Sequence, residues 1–164
     1  MRVFHYTKYQ ECFDTVLVVL RRSPVTFLAL FHHSVMIHVT FWIYLAQEER
    51  GAEVTNTWLP IILNSSVHVI MYAYFAYRSL GYKLEEKTLN FVREGITRMQ
   101  ISQFLIILGY YAYFNPYLFP KCNISWFTWL WIEIPVGIIL LFFLNFYVQQ
   151  YFKSGKKGKD TKEE

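Results

Sequence analysis

Long runs of this chain carry no charge at all. Residues 23 to 47, 54 to 77 and 99 to 120 contain no Lys, Arg, Asp or Glu, and residues 122 to 152 contain only Glu133. Each run is long enough to cross a hydrocarbon layer of about 30 Å as a helix, which takes around 20 residues. Charged residues make up 17% of the chain, below the roughly 25% usual for a soluble domain. A soluble single-domain enzyme does not fit this pattern. An all-α fold does, as a multi-pass transmembrane helical bundle.

The runs predict spans over about 25–46, 57–77, 99–118 and 125–149. Ser23-Pro24 precedes the first span and Gln47-Glu48-Glu49-Arg50-Gly51 closes it. Pro60 falls in the first turn of the second, where a missing backbone N–H costs little. Residues 78–98 read as a charged connector, the third span ends near Asn115-Pro116, and the fourth contains Pro135 and Gly137. Residues 5–22 read as the end of a further helix, two to three polar-faced turns that cannot cross unaided, stopped by Arg21-Arg22. Arg21-Arg22, the connector and the tail from Lys153 fall on one side of alternating spans, which the positive-inside rule makes cytosolic. The expected division is a membrane domain over 1–152 and a charged cytosolic tail over 153–164.

Lys8, Glu11 and Asp14 interrupt any apolar core near Met1, so the opening does not read as a signal peptide. Cys12 and Cys122 are far apart and form neither a disulfide framework nor a metal knuckle. The net charge is +4, but five of the sixteen basic residues lie in the last twelve positions beside three acids. That is a solvated tail, and no nucleic-acid partner is expected.

Polar groups inside spans are costly and mostly face a bundle interior or cavity. Here they are His32, His33, His38, Asn64, Ser65, Ser66, His68, Gln100, Gln103 and Glu133, with Lys8, Glu11, Asp14 and Thr15 on the first helix. Asn64, His68 and Tyr72 are spaced by four and share a face, as do Thr97, Gln100, Gln103 and Phe104. His32 and His33 are adjacent and diverge by about 100° on a helix. An imidazole acts as a base or nucleophile near neutral pH when an Asn or carboxylate fixes its second nitrogen, a need that His33 with His68 and Asn64 would meet. His38 has no polar neighbour in sequence and reads as structural, and Glu133 as an interfacial or salt-bridged acid. Trp42, Trp58, Trp126, Trp129 and Trp131 near span ends read as interfacial anchors. A di-iron membrane oxygenase would need about eight histidine ligands, and the chain has five histidines.

These residues resemble the fatty-acid elongase (ELO) family of membrane condensing enzymes. Its Lys-x-x-Glu-x-x-Asp-Thr motif and following basic stop match Lys8, Glu11, Asp14, Thr15, Leu20, Arg21 and Arg22. Its His-x-x-His-His box aligns with Ala29 to His33, Ala29 standing where the family has its first histidine. Asn-x-x-x-His-x-x-Met-Tyr is Asn64, His68, Met71 and Tyr72, and Thr-x-x-Gln-x-x-Gln-Phe is Thr97, Gln100, Gln103 and Phe104. The resemblance implies the back portion of a seven-span fold around an acyl tunnel. Ala29 offers no lone pair or proton, so whatever the family imidazole orients must be supplied elsewhere. Only Lys162 occupies a useful position for the family's two-lysine retrieval signal.

The resemblance further implies condensation of acyl-CoA with malonyl-CoA to 3-oxoacyl-CoA and CO2 at the endoplasmic reticulum membrane, without nicotinamide, flavin or metal. His33 and His68 would handle acyl transfer, and His32 would position the thioester. Asn64 and Tyr72 would orient an imidazole or donate to an oxyanion, and Gln100 and Gln103 would meet the substrate's polar head. Lys8 and Arg21, placed at the cytosolic mouth, would contact CoA phosphates or the malonyl carboxylate, while Glu11 and Asp14 orient Lys8 and the histidines. Other elongase subunits or elongation-cycle enzymes are the implied partners. Two other classes stay open: a non-catalytic partner of intact elongases, and a small carrier or channel, which would require a hydrophilic lining through the spans.

Overall fold

The computed structural model describes residues 2–20, 22, 26–50, 57–114 and 126–153. Arg21, Ser23-Pro24, Gly51, Asn115-Pro116, Lys121, Cys122 and the tail from Ser154 lie outside the described residues. Every described element is helical. The order is α1 (Arg2–Leu20), α2 (Phe27–Arg50), α3 (Trp58–Ser79), α4 (Glu86–Gly109) with a π segment Tyr110–Phe114, and α5 (Trp126–Tyr147) with a π segment Val148–Lys153. Among the described residues three stretches are long and apolar enough to cross a membrane: Phe27–Leu45, Trp58–Ser79 and Leu130–Tyr151. The protein is an all-α, multi-pass membrane protein.

Two elements depart from the sequence reading. The stretch expected as a connector over 78–98 turns helical at Glu86 and runs without a break into the third expected span. Glu85 and Glu86 place negative charge at the helix start, which the macrodipole favours, and Glu94 pairs with Arg98 one turn on at 2.7 Å. Those charges keep α4 out of the set of long apolar helices, although its second half is as apolar as expected. The first helix is longer than two to three turns. Its 19 residues span about 28 Å at 1.5 Å each, close to the thickness of the hydrocarbon layer.

Helix α1 is turned inside out relative to a soluble helix. His5, Lys8 and Glu11 are buried, whereas Val3, Phe13 and Leu20 are 78%, 65% and 72% exposed. Apolar side chains cost nothing against lipid, so the polar stripe is what the bundle covers. Trp42, Trp58 and Trp131 are exposed near helix ends, as interfacial rings are. Arg22, after α1, is left-handed (φ 54°), and so is Gly81 after α3 (φ 82°), where a glycine carries no Cβ penalty.

Packing runs α1 on α2, α2 on α5, α5 on α4 and α4 on α3. Polar side chains bridge α3 back to α1, so five helices enclose a common interior. The main core lies between α4 and α5, from Phe104, Ile107 and Tyr111 against Val136, Ile139, Leu140 and Phe143. Leu28, Phe31, Val35 and Met36 of α2 pack on it, and Val39, Ile43 and Ile132 form a second cluster. Pro60 sits at the third position of α3, where backbone N–H groups lack helical acceptors anyway. Pro135 lies inside α5.

Candidate active site

Among the described residues, a larger and a smaller chamber lie inside the ring. The larger, about 550 Å³, is lined by all five helices: Asp14, Thr15 and Val18 of α1, Ala29, His32 and His33 of α2, His68, Met71 and Tyr74 of α3, Asn90, Arg93, Thr97 and Gln100 of α4, and Phe143 and Phe146 of α5. Val18, Thr26, Phe75, Asn90 and Gln150 place it at the end where the basic segments gather. The smaller, about 40 Å³, lies towards the opposite end between Phe4, Met36, Val39, Ile43, Ile61, Ile107, Ile132 and Val136, with Asn64 and Gln103 on its wall. On α3 the boundary falls between His68 and Asn64, one turn apart. On α4 it falls between Gln100 and Gln103. A polar layer therefore separates a roomy, partly polar chamber from a small apolar one.

Lys8 forms the centre of that layer. Its side chain is 1% exposed, its Nζ donates to Glu11 Oε1 at 2.5 Å and to Asn64 Oδ1 at 2.5 Å, and the Phe4 ring lies 4.5 Å away. A buried ammonium needs such partners, because desolvation without them costs several kcal/mol, roughly. Lysine therefore does not stand at the cytosolic mouth as expected from sequence, and its charge is already spent on Glu11. Asn64 accepts from Lys8 rather than fixing His33. Thr15 Oγ1 instead pairs with His33 Nδ1 at 2.8 Å. Tyr72 donates its hydroxyl to Asp14 Oδ2 at 2.5 Å, and its ring packs edge-on against that of His68, the centroids 5.7 Å apart.

His68 Nδ1 lies 3.6 Å from Glu11 Oε1. His32 packs edge-on between Phe104 and Phe143, with its ring 5.5 Å from that of His33. Gln100 donates weakly to Met71 Sδ at 3.7 Å. Glu11 Oε2, His32 Nε2, His68 Nδ1, Gln103 Oε1 and Glu133 Oε1 are buried without a hydrogen-bond partner among the described residues. The structure thus brings Lys8, Glu11, Asn64 and His68 together, sets His32, His33, Asp14 and Gln100 around the large chamber, and leaves Gln103 facing the small one. Arg21 lies outside the described residues. No group of three or more His, Cys, Asp or Glu with metal-holding geometry occurs among the described residues.

Sequence reasoning passed over Arg93 and Asn90, which line the large chamber near its opening. The signal was present: Arg93, Thr97 and Gln100 follow at steps of four and three and so share one helix face. His5 was passed over too. It is buried, pairs with Thr40 Oγ1 at 2.9 Å and fastens α1 to α2. His38 is exposed and accepts from Trp42 Nε1 at 3.0 Å, a local contact one turn along α2.

A model of the GNS1/SUR4 (ELO) family matches residues 1–159. Very long chain fatty acid elongase 7 of Rattus norvegicus is 29% identical over 160 residues, 96% of this chain and 54% of that protein. Very long chain fatty acid elongase 4 of Homo sapiens is 31% identical over 167 residues, 97% of this chain and 48% of that protein. Putative fatty acid elongase 3 of Caenorhabditis elegans is 30% identical over 172 residues, 98% and 50% of the two chains. The chain spans about half the length of these curated relatives. No solved structure matches it.

Proposed function

The chain belongs to the GNS1/SUR4 (ELO) family, and from that premise we propose that it condenses a long-chain acyl-CoA with malonyl-CoA in very-long-chain fatty-acid elongation, at the endoplasmic reticulum membrane. One observation carries the reading: a single chamber of about 550 Å³ whose wall holds His32, His33 and His68, with Arg93 near its opening. An imidazole there attacks the acyl thioester. The new C–N bond forms as the C–S bond breaks, and the ring proton leaves with the CoA thiolate. Malonyl-CoA then loses CO2, and the electron pair of the broken C–C bond becomes an enolate. The enolate attacks the acyl carbon, the C–N bond breaks, and the imidazole regains a proton from the medium. Gln100 and an imidazole N–H supply donors for the developing oxyanions.

Arg93 takes the place expected for Lys8, as the cation that meets a CoA phosphate or the malonyl carboxylate. Apolar side chains of the large chamber, Val18, Phe75, Phe143 and Phe146, receive the alkyl chain. The reaction as drawn uses no nicotinamide, flavin or metal. Its expected partners are other elongase subunits, or elongation-cycle enzymes that reduce and dehydrate the 3-oxo product.

The test is malonyl-CoA incorporation into 3-oxoacyl-CoA by membranes containing this chain alone, beside His33→Ala, His68→Ala and empty membranes. Incorporation above the empty control that either variant abolishes is the expected result. None from a verified, inserted chain overturns the autonomous enzyme and leaves the non-catalytic partner of intact elongases.

A further inference from the structure

Around the large chamber every seam but one is closed by direct helix packing: α1 on α2, α2 on α5, α5 on α4 and α4 on α3. Across the α2–α5 seam the rings of Phe27 and Phe31 pack edge-on against Phe142. The remaining seam, between α1 and α3, is held by polar side chains: Lys8 to Asn64, Glu11 beside His68, and Asp14 to Tyr72. Beyond Asp14 and Tyr72, towards Leu20 and Ser79, no hydrogen bond, ion pair or ring contact joins the two helices among the described residues. The α3 side chains that pack on the main core, Leu59 and Leu63, lie at its other end. Val18 of α1 and Phe75 of α3 flank the unbridged stretch, each about one turn past the last bridge, and both line the chamber. Phe75 is also 53% exposed. A side chain that belongs at once to the chamber wall and to the outer surface marks an opening.

We propose that this stretch is a lateral portal: the alkyl tail of a single-chain amphiphile passes between Val18 and Phe75, from the bilayer into the chamber and back. Among the described residues the chamber leaves a tail no other apolar route. Its deep end is shut by the layer of Lys8, Glu11 and Asn64, and the small chamber past it holds about 40 Å³, space for a few water-sized groups. Its mouth carries Asn90, Arg93 and Gln150, polar groups that suit a head group and not a hydrocarbon. In water such an apolar gap would close to bury its walls. In a bilayer the lipid tails are as apolar as the gap itself, so an alkyl chain crosses it without a transfer penalty. An amphiphile can then keep its head at the mouth, its carbonyl beside the histidines and its far end among the lipids. The volume of the chamber therefore sets no ceiling on tail length. The inference rests on the elongase reading only in naming that amphiphile an acyl-CoA.

Thiol labelling tests the portal without any elongation assay. Thr97 lines the chamber at this depth, since the Gln100 contact with Met71 sets α4 against α3. In lipid-embedded protein carrying Cys12→Ser and Cys122→Ser, Thr97→Cys supplies the only thiol. A maleimide adds that thiol across its alkene, the sulfur taking one carbon and the proton the other. N-hexadecylmaleimide in the bilayer reports the portal, and a sulfonated maleimide in water reports the mouth. Both are expected to label the thiol. Val18→Trp should slow the tailed reagent roughly tenfold, since an overfilled gap excludes what passed through it, and leave the sulfonated one within about twofold. Phe75→Ala should speed the tailed reagent alone, and Leu141→Trp, on the lipid face of α5, should change neither. A tailed reagent that cannot reach the thiol while the sulfonated one does, or equal slowing of both by Val18→Trp, overturns the portal. If Val18→Trp loosens the bundle, both reagents react faster. Phe75→Ala then decides, and an unchanged tailed rate there overturns the portal. Condensation with hexanoyl-CoA against stearoyl-CoA tests the tail's identity: Val18→Trp should lower kcat/KM for the longer substrate alone, and an equal loss with both overturns acyl-CoA as the occupant. Selective labelling in a chain that condenses neither would keep the portal while rejecting the proposed function.

Discussion

Lys8→Met removes an ammonium that is almost completely buried and holds two partners at 2.5 Å each. Met matches the lysine stem in length and apolarity, so packing is largely preserved and the loss is electrostatic. It leaves the Glu11 carboxylate inside the bundle with no counter-cation, and breaking a buried pair from one side costs about 3–5 kcal/mol. Glu11→Leu leaves the lysine in the same position and carries a similar cost. Lys8→Met with Glu11→Leu removes both charges together, and an apolar pair in place of a buried ion pair is often close to neutral. One debt remains, the Asn64 carbonyl without its donor, at about 1–3 kcal/mol. The expected coupling in the double-mutant cycle is therefore at least about 3 kcal/mol in favour of the pair. Equilibrium unfolding in mixed micelles, titrated with SDS and followed by helix content and tryptophan emission, measures it. Additive single variants, or a cost for Lys8→Met below about 1 kcal/mol, would refute a central role for this pair in the bundle.

Ile139 is completely buried between α4 and α5, so Ile139→Ala should cost about 2–5 kcal/mol in the same titration, whereas a change at lipid-exposed Leu141 should cost far less. If Arg93 meets the CoA substrate as proposed, Arg93→Gln should raise the KM for it by roughly tenfold, matching about 1.4 kcal/mol for a charge-assisted contact, with a smaller change in kcat. Steady-state incorporation at low and high salt checks this, since the loss should shrink as salt screens the anion.

The helices were legible because a bilayer leaves so few options for a charge-free run. Backbone groups in hydrocarbon must bond internally, so composition over 25–46 or 57–77 dictates helix before any packing is known. The faces were legible as well, since Lys8, Glu11 and Asp14, or Asn64, His68 and Tyr72, recur at helical spacing. Which face meets which was not. Lys8 finds Asn64 across 56 positions and Asp14 finds Tyr72 across 58, and those pairings depend on the rotation and depth of two helices. Sequence motifs suggested an asparagine serving a histidine, and the bundle gives it to a lysine. The start of α4 was hidden for another reason. Charges at Glu85, Glu86 and Lys87 look like a loop, but a helix projecting past the hydrocarbon carries such residues at no cost.

The polar stripe of α1 also bears on biogenesis. A segment with Lys8, Glu11 and Asp14 on one side is a poor client for the insertion machinery by itself, because each charge is penalised at the bilayer centre. The carbonyl that receives Lys8 belongs to Asn64, and the hydroxyl that reaches Asp14 belongs to Tyr72, both on a helix synthesised later. At about 5–20 residues per second, the ribosome needs several seconds to deliver them. Until then α1 lacks both of those partners, so its final burial would be a post-insertion docking event. Defects at Asn64 or Tyr72 would then surface as degradation of a half-assembled chain, before any catalytic failure could be seen.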